Sequence, residues 1–216
     1  GSLSRIYAQT TGVEVNISVL SYDEVYKVFT SMDDSSGYDV VRLDVTWLSW
    51  FAQRILRPLE DIDPAISSVF ERFLPGLSRQ YSYVEDRLYA LPVSPSNQIL
   101  FYRKDMFEST VLKRLYHEAY KARLSPPKSF KEYNRIARFF TRAENGQSPL
   151  EFGTTVTLGS TGVAGTEFIT RYFSYTDKLF TDEGCILLGS EHALHALQDL
   201  IEVRRYSKEQ PCAWWT

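Results

Sequence analysis

The chain has 216 residues, with 24 Lys and Arg against 27 Asp and Glu, and its formal net charge is -3. This small negative charge gives no reason to expect a polyanion partner, so nucleic acid binding through this segment is not expected. Hydrophobic residues make up 44% of the chain, yet no run approaches the roughly 18 apolar residues of a membrane helix. The length allows one large domain or two smaller lobes.

The first part of the chain alternates predicted strands and helices. Apolar and polar residues alternate over 13–19, which predicts a strand, and Gly12 is placed to end a short helix before it. Helical spacing from Tyr22 to Met32 leads to a second predicted strand over 38–43. Because a helix between two strands implies parallel pairing, the opening predicts a βαβ unit of an α/β fold.

The next segments carry clear start and stop signals. Asp44 is a good first residue for a helix, and Pro58 would end that helix. A further helix is predicted around 65–74. Two short extended pieces around an acidic turn are predicted over 83–92, followed by an extended run over 99–103.

The second half of the chain reads mainly as helix. Ser129 and Glu132 form a predicted capping box after a proline stop, which makes this the best-specified helix start in the chain. The remaining predicted elements are a strand over 152–158, a Gly-rich loop over 159–166 with Thr166 as a possible cap, a helix from about Glu167 to Tyr175 and a helix from Glu191 to about Tyr206.

The last predicted helix carries two histidines. Its apolar flank is formed by Ala193, Leu194, Leu197, Leu200, Ile201 and Arg204. His192 and His195 lie on the opposite, solvated side, at a spacing that allows metal chelation. Because the sequence places no third ligand near them, no metal site is expected.

Several short strings occur in a familiar order. They are Tyr38-Asp39-Val40-Val41, Asp44-x-x-Trp47, Leu88-Tyr89-Ala90-Leu91-Pro92, Phe101-Tyr102-Arg103-Lys104-Asp105-Met106-Phe107 and Pro126-Pro127-Lys128-Ser129-Phe130. Each string alone is weak, but together they resemble the family 1 extracellular solute-binding proteins of bacteria. These proteins are the substrate-capturing parts of ABC importers, mostly for sugars and oligosaccharides.

The resemblance implies a periplasmic-binding-protein-like fold with two α/β lobes, each a mostly parallel sheet flanked by helices. Residues 3–100 would form the first lobe and residues 101–216 a partial second lobe. Family members usually begin with a strand before the first helix and extend well past the point where this sequence stops. We therefore expect the chain to be a fragment whose second lobe is incomplete.

The resemblance also implies a function. The chain would capture a sugar or oligosaccharide in a cleft between the lobes, with ABC transporter membrane subunits as partners. It would be a monomer without cofactors, periplasmic or anchored outside the cytoplasm as a lipoprotein. An alternative is a cytoplasmic sensor domain of the same fold in a transcriptional regulator or signalling protein. An enzyme such as a glycoside hydrolase is less favoured, since no nucleophile, base and orienting group line up in the sequence.

The first candidate ligand contacts follow a predicted buried strand. Asp44 and Thr46 can hydrogen-bond sugar hydroxyls, and the ring of Trp47 can stack on the face of a sugar. The structural alternative is that Asp44 only caps the next helix and Trp47 only fills the core.

Other candidates lie in loops that the resemblance places near the cleft. Ser94, Ser96 and Asn97 belong to a polar stretch between two extended runs, which could equally be an ordinary turn. Ser160 and Thr161 belong to the Gly-rich loop, where backbone N–H groups could face a ligand. Tyr172 and Trp214 could stack on sugar from the second lobe, although core packing is the alternative for both.

Overall fold

The computed structural model of the chain describes residues 2–33, 37–73, 77–94, 98–159 and 161–208. Its internal contacts divide it into two units, with the division between Gln98 and Ile99. We describe each unit by itself. Whether the units are the two lobes implied by the resemblance stays a prediction.

Helices dominate the first unit. Its elements are α1 (Ser2–Thr11), α2 (Tyr22–Ser31), α3 (Val45–Ile55), a 3-10 turn (Leu59–Asp61), α4 (Ile66–Phe70), α5 (Leu77–Gln80), β1 (Tyr83–Val84) and β2 (Arg87–Leu88). The predicted end of α1 is confirmed, because Gly12 takes a φ of 73° and its N–H donates to Ala8 O. The helix predicted around 65–74 is found in the shorter α4.

The strands predicted over 13–19 and 38–43 are not found. In the part of the chain that the structure describes, neither segment forms a hydrogen-bonded ladder, and Val19 and Val40 are 88% and 89% exposed. A strand needs a neighbour that accepts and donates its backbone hydrogen bonds. Alternating apolar and polar residues show which faces a strand would have, but they say nothing about the neighbouring strand. For this reason the prediction of these two strands was wrong.

The predicted pair of extended pieces is confirmed as a hairpin. Strands β1 and β2 pair antiparallel, with Tyr83 opposite Leu88. Glu85 and Asp86 form the turn with φ values of 48° and 64°, which is the left-handed geometry that two-residue hairpins require. Leu88 is fully buried, and its N–H donates to Glu60 Oε1 at 2.9 Å.

Helix α3 carries three of the buried apolar residues of the first unit. Leu48, Phe51 and Ala52 are buried at helical spacing on one side of α3. Phe29 of α2 packs against them, with its ring centroid 5.2 Å from that of Phe51. The two helices thus share an apolar contact that leaves the N-terminal turns of both at the surface.

The second unit consists of helices joined by irregular segments. Its helices are α6 (Lys104–Glu108), α7 (Thr110–Tyr120), α8 (Phe130–Phe140), α9 (Thr161–Tyr172) and α10 (Glu191–Arg204). Helices α6 and α7 were not predicted from the sequence. Of the strand predicted over 152–158, only a single bridge between Thr154 and Ser207 is formed.

Helix α8 lies at the centre of the second unit. Its predicted start is confirmed, since Glu132 N–H donates to Ser129 Oγ at 3.2 Å. The Glu132 carboxylate accepts from Lys128 N–H, one residue earlier than a complete capping box requires. One side of α8 packs on α7 through Leu112, Tyr116, Ile136, Phe139 and Phe140, and the other packs on α10 through Ala137, Val203 and Tyr206.

Helix α10 buries a different face from the predicted one. Ala193, Ala196 and Val203 are buried, whereas Leu194, Leu197 and Ile201 are exposed. At 100° per residue the predicted flank spans about 120° of the helix, and the edge that carries Ala193 and the partly buried Leu200 packs against the rest of the unit. The small side chains of Ala193 and Ala196 let α9 approach closely, with Tyr172 packed against both.

Gly153 approaches α8 so closely that no side chain fits there. A Cβ atom on Gly153 would lie 1.8 Å from Ala137 O and 2.9 Å from Thr141 Oγ1. Hydrogen bonds fix this approach, because Gly153 N–H donates to both Tyr206 O and Thr141 Oγ1. A larger residue must therefore displace the backbone of α8.

We expect Gly153→Ala to lower the free energy of unfolding of the second unit by about 3 kcal/mol, since overpacking against backbone cannot relax by rotamer changes. Urea denaturation followed by circular dichroism measures this loss. The matched control is Gly146→Ala, where an added Cβ meets nothing within 4 Å, and its effect should stay below about 0.5 kcal/mol. Equal losses in the two variants would contradict the close approach.

Candidate functional site

The start of α3 is organised by one carboxylate. Asp44 is the N-cap residue, and its Oδ1 accepts hydrogen bonds from Thr46 N–H at 2.9 Å and from the Thr46 hydroxyl at 2.7 Å. The second oxygen, Oδ2, accepts only a long hydrogen bond of 3.3 Å from the Tyr22 hydroxyl among the contacts of the described chain. Because a carboxylate oxygen has two lone pairs, Oδ2 retains capacity to accept from a bound group.

Three aromatic rings lie beside this carboxylate. The ring centroid of Trp47 is 4.7 Å from that of Tyr22 and 5.1 Å from that of Tyr26, with tilted planes. Trp47 is half-buried, and both tyrosines are exposed. We call Tyr22, Tyr26 and Trp47 the aromatic platform. It combines flat apolar surface with the Tyr22 hydroxyl, which donates to the Asp44 carboxylate.

The platform rests on the core of the first unit. The Trp47 ring lies 6.3 Å from Phe29, which is buried, and Tyr26 meets the edge of Phe51 at the same centroid distance. These contacts restrict the tilt of Trp47. The structural alternatives therefore hold in part: Asp44 does cap α3, and Trp47 does pack partly against the core. Each side chain nevertheless keeps an exposed portion.

The environment of Tyr22 changes its acidity. Burial, together with the charge and the hydrogen bond of Asp44, raises the pKa of the Tyr22 phenol to about 12. A phenol that stays protonated keeps its hydroxyl as a donor to Asp44. This edge of the platform is therefore one carboxylate held by the neutral donors of Tyr22 and Thr46.

The other candidates from the first unit lie in a loop after β2. Ser94 is exposed in this loop. Ser96 and Asn97 lie outside the described residues, so their roles stay predictions. In the first unit, the start of α3 is thus the part of the predicted site whose distances and hydrogen bonds the structure describes.

The Gly-rich segment of the second unit is helical, which corrects the loop predicted over 159–166. Helix α9 begins at Thr161, whose side chain is not described, and Ser160 lies outside the described residues. Thr166 does not cap the helix, because its hydroxyl donates to Gly162 O inside α9. Each glycine costs a helix about 1 kcal/mol, and here the packing of Phe168 and Tyr172 against α10 outweighs that cost.

The stacking role predicted for Tyr172 does not fit its position. The side chain is fully buried between α9 and α10, and its hydroxyl donates to Lys178 O at 2.7 Å. Both faces of the ring are occupied within the unit, so the structural alternative, core packing, holds for Tyr172. Trp214 lies outside the described residues.

The chain was compared with known proteins. A family profile described as bacterial extracellular solute-binding protein matches residues 5–180. This match covers most of the chain.

The chain belongs to the bacterial extracellular solute-binding protein family. The motif order of the sequence, which predicted this family, is confirmed. A search of curated proteins returned no match.

A solved structure resembles nearly the whole length of this chain. It is an ABC transporter solute binding protein from Agrobacterium radiobacter K84 in complex with ribitol, with a TM-score of 0.68 and 17% sequence identity. The match covers 95% of this chain and 49% of that chain, so this chain spans about half the length of the solved one. The predicted periplasmic-binding-protein fold is thereby confirmed. Both the family and the solved neighbour are binding proteins.

Neither a metal cluster nor a membrane-spanning helix is found among the described residues. Across the described ranges, no three His, Cys, Asp or Glu side chains gather at distances suited to a metal ion. Near the two predicted histidines, Tyr175 donates to Asp199, and its ring lies 5.6 Å from that of His195. No helix in the described part of the chain has the length and apolar character to cross a bilayer.

Sequence reasoning missed Tyr22 and Tyr26 as members of the site. Their spacing of four residues places both rings on one side of α2, and that was the available signal. The sequence does not show that this side of α2 meets Trp47 of α3, which lies 21 residues after Tyr26. Only the packing of the two helices brings the three rings together.

We expect Asp44→Asn to lower the pKa of Tyr22 from about 12 toward 10 without reaching it. The substitution removes the negative charge, whereas burial of the phenol remains. Because the folded pKa lies above the unfolded one, wild-type stability falls as the pH rises from about 10 to about 12, and this fall is smaller in the variant.

Titration by NMR of ring-labelled tyrosine measures the shift, with Tyr22→Phe assigning the signal. Asp63→Asn is the control, since Asp63 Oδ1 also accepts a backbone N–H two residues ahead. An unchanged Tyr22 pKa in Asp44→Asn would show that the carboxylate does not act on the phenol.

Proposed function

We propose that this chain captures a sugar or a polyol at the N-terminal turn of α3. The observation that carries the proposal is the Asp44 carboxylate beside the aromatic platform. Membership of the solute-binding family supports a binding role, and the solved neighbour, which holds ribitol, supports a polyhydroxylated ligand.

The chemistry of the site suits such a ligand. A sugar presents an apolar face of C–H groups and a rim of hydroxyl groups, so it needs a flat ring and a strong acceptor within a few ångströms of each other. Trp47 and Tyr22 provide the rings, 4.7 Å apart, and Asp44 Oδ2 provides the acceptor. A hydrogen bond from a hydroxyl to a carboxylate is stronger than one to a neutral oxygen.

Hydrogen bonds within the protein prepare this arrangement. Thr46 holds one oxygen of Asp44 through its N–H and its hydroxyl, so the carboxylate does not have to be ordered when ligand binds. Trp47 is fixed by its contacts with Phe29 and the two tyrosines. Groups that are ordered beforehand lose little conformational entropy on binding.

In the whole protein, this chain would belong to the solute-binding component of an ABC importer. The family description favours a location outside the cytoplasm, with the transporter's membrane subunits as partners. A lipid anchor and the capture of ligand between two lobes stay predictions. Ser94, Ser96, Asn97, Ser160, Thr161 and Trp214 stay candidates for further contacts, whereas Tyr172 is withdrawn.

For the 216-residue chain we expect ribitol, a hexose or a disaccharide to bind with a Kd in the millimolar range, since the platform offers few contacts by itself. Asp44→Asn should weaken binding about tenfold by removing the charged acceptor while keeping a residue that caps helices well. Trp47→Phe should also weaken it, because a smaller ring covers less of the sugar face. Chemical-shift titration by NMR measures all three affinities.

The chain offers matched controls for both substitutions. Trp50 lies on the same helix but is 63% exposed, with Arg54 over its ring and not the tyrosines of α2. Asp63 caps a turn as Asp44 does. Trp50→Phe and Asp63→Asn should leave the affinity unchanged. A chain that binds none of the three ligands up to about 100 mM, or that binds equally well in all variants, would refute the proposal.

A further inference from the structure

Two polar atoms of the second unit are buried without a partner from the protein. Arg171 and Asn134 are each 1% exposed. Among the described residues, neither Nε of Arg171 nor Oδ1 of Asn134 makes a hydrogen bond. A buried polar atom without a hydrogen bond destabilises the fold, so nearly all such atoms are bonded to the protein or to an ordered water. These two atoms therefore indicate a bound molecule.

The contacts of Arg171 leave one donor unused. Its Nη1 donates to the Glu167 carboxylate at 2.6 Å and to Glu167 O at 2.9 Å, which pairs the charge of the guanidinium. The guanidinium carbon also lies 4.6 Å from the centre of the Phe130 ring. Because an aromatic ring is only a weak acceptor, it does not replace a hydrogen bond for the Nε–H group.

The contacts of Asn134 leave one acceptor unused. Its Nδ2 donates to Asp199 O at 2.9 Å and to Glu202 Oε2 at 3.1 Å. Rotating the amide by half a turn would place Oδ1 against these two acceptors, so the hydrogen bonds fix which atom is the oxygen. The unused atom of Asn134 is thus complementary to the unused donor of Arg171.

Both side chains lie where α8, α9 and α10 meet. Arg171 of α9 contacts Phe130, which lies one turn before Asn134 on α8. Four residues after Arg171, the Tyr175 hydroxyl donates to the carboxylate of Asp199. Asn134 donates to the backbone oxygen of the same aspartate on α10. Contacts at Phe130 and at Asp199 therefore hold the two side chains in one junction between the three helices.

The charges of the junction select a neutral ligand. An anion would meet the carboxylates of Glu167 and Glu202 as well as the lone pairs of Asn134 Oδ1. A cation would meet the guanidinium of Arg171. A bridging molecule must instead accept from Nε–H and donate to Oδ1, and the burial of both side chains requires it to be small. Water meets these conditions with the two polar partners that a buried water needs.

We propose that the junction of α8, α9 and α10 binds one buried water molecule, which accepts from Arg171 Nε–H and donates to Asn134 Oδ1. We call it the junction water. It links α9 to α8, and Asn134 continues the link to α10 through Asp199 and Glu202. Such a water is part of the folded structure and exchanges with solvent more slowly than surface water does.

Magnetic relaxation dispersion of the oxygen nucleus of solvent water counts the waters that stay inside the chain for longer than its tumbling time. The double variant Asn134→Leu/Arg171→Met removes both partners, so we expect it to hold one such water fewer than the wild type. The control is Arg135→Met, because Arg135 Nε donates directly to the Tyr116 hydroxyl at 2.9 Å. An unchanged number in the double variant, or an equal loss in the control, would contradict the junction water.

The junction water should also couple the two side chains in stability. Asn134→Leu and Arg171→Met should each shift the unfolding equilibrium toward the unfolded state by at least about tenfold, because each leaves the other partner unmatched. The shift in the double variant should be smaller than the product of the two single shifts, by at least about fivefold. Urea denaturation followed by circular dichroism measures the three shifts. Shifts that simply multiply would show that the two side chains share no bound molecule.

A crystal structure of the 216-residue chain identifies the bound molecule without depending on any variant. We expect one water oxygen at about 2.7 to 3.2 Å from both Arg171 Nε and Asn134 Oδ1. A direct hydrogen bond between these two atoms would overturn the proposal, because neither would then need a ligand. An ion in the junction would overturn the assignment of a neutral ligand.

Discussion

The position of the candidate site depends on the hydrogen bond from Thr46 N–H to Asp44 Oδ1. This bond begins α3 at Val45 and thereby fixes the direction in which the first turn presents Trp47. If α3 began elsewhere, Trp47 would turn away from α2 by about 100° for each residue of shift. A common capping interaction is here also the interaction that positions the candidate site.

The same carboxylate links local structure to chemistry. One oxygen of Asp44 serves the helix, and the other meets Tyr22, whose pKa rises to about 12. The second unit shows the opposite use of polar groups. Arg171 is 1% exposed, bonds Glu167 within its own helix and lies over the Phe130 ring, so its charge is compensated inside the unit. Polar groups at the platform remain open to solvent, which a ligand site requires.

The sequence predicted those parts of the fold that depend on interactions between neighbouring residues. Helix starts at Asp44 and Ser129 and the hairpin turn at Glu85 follow from interactions within four residues, and all three were predicted. The strand over 13–19 and the Gly-rich loop before Glu167 were predicted wrongly. Residues distant in the sequence decide whether a strand is paired and whether a segment packs as a helix. Strand pairing and helix packing are tertiary interactions that override local propensity.

The candidate site was predictable only in part for the same reason. Asp44 and Trp47 were predicted as ligand contacts from their motif, whereas Tyr22 reaches them through the packing of α2 on α3. The most direct test of the account is the measurement of intermolecular NOEs between the C–H protons of a bound sugar or ribitol and the aromatic rings. The account predicts NOEs to Trp47 and Tyr22 and none to Trp50. NOEs confined to other rings, with Trp47 silent under saturating ligand, would contradict it.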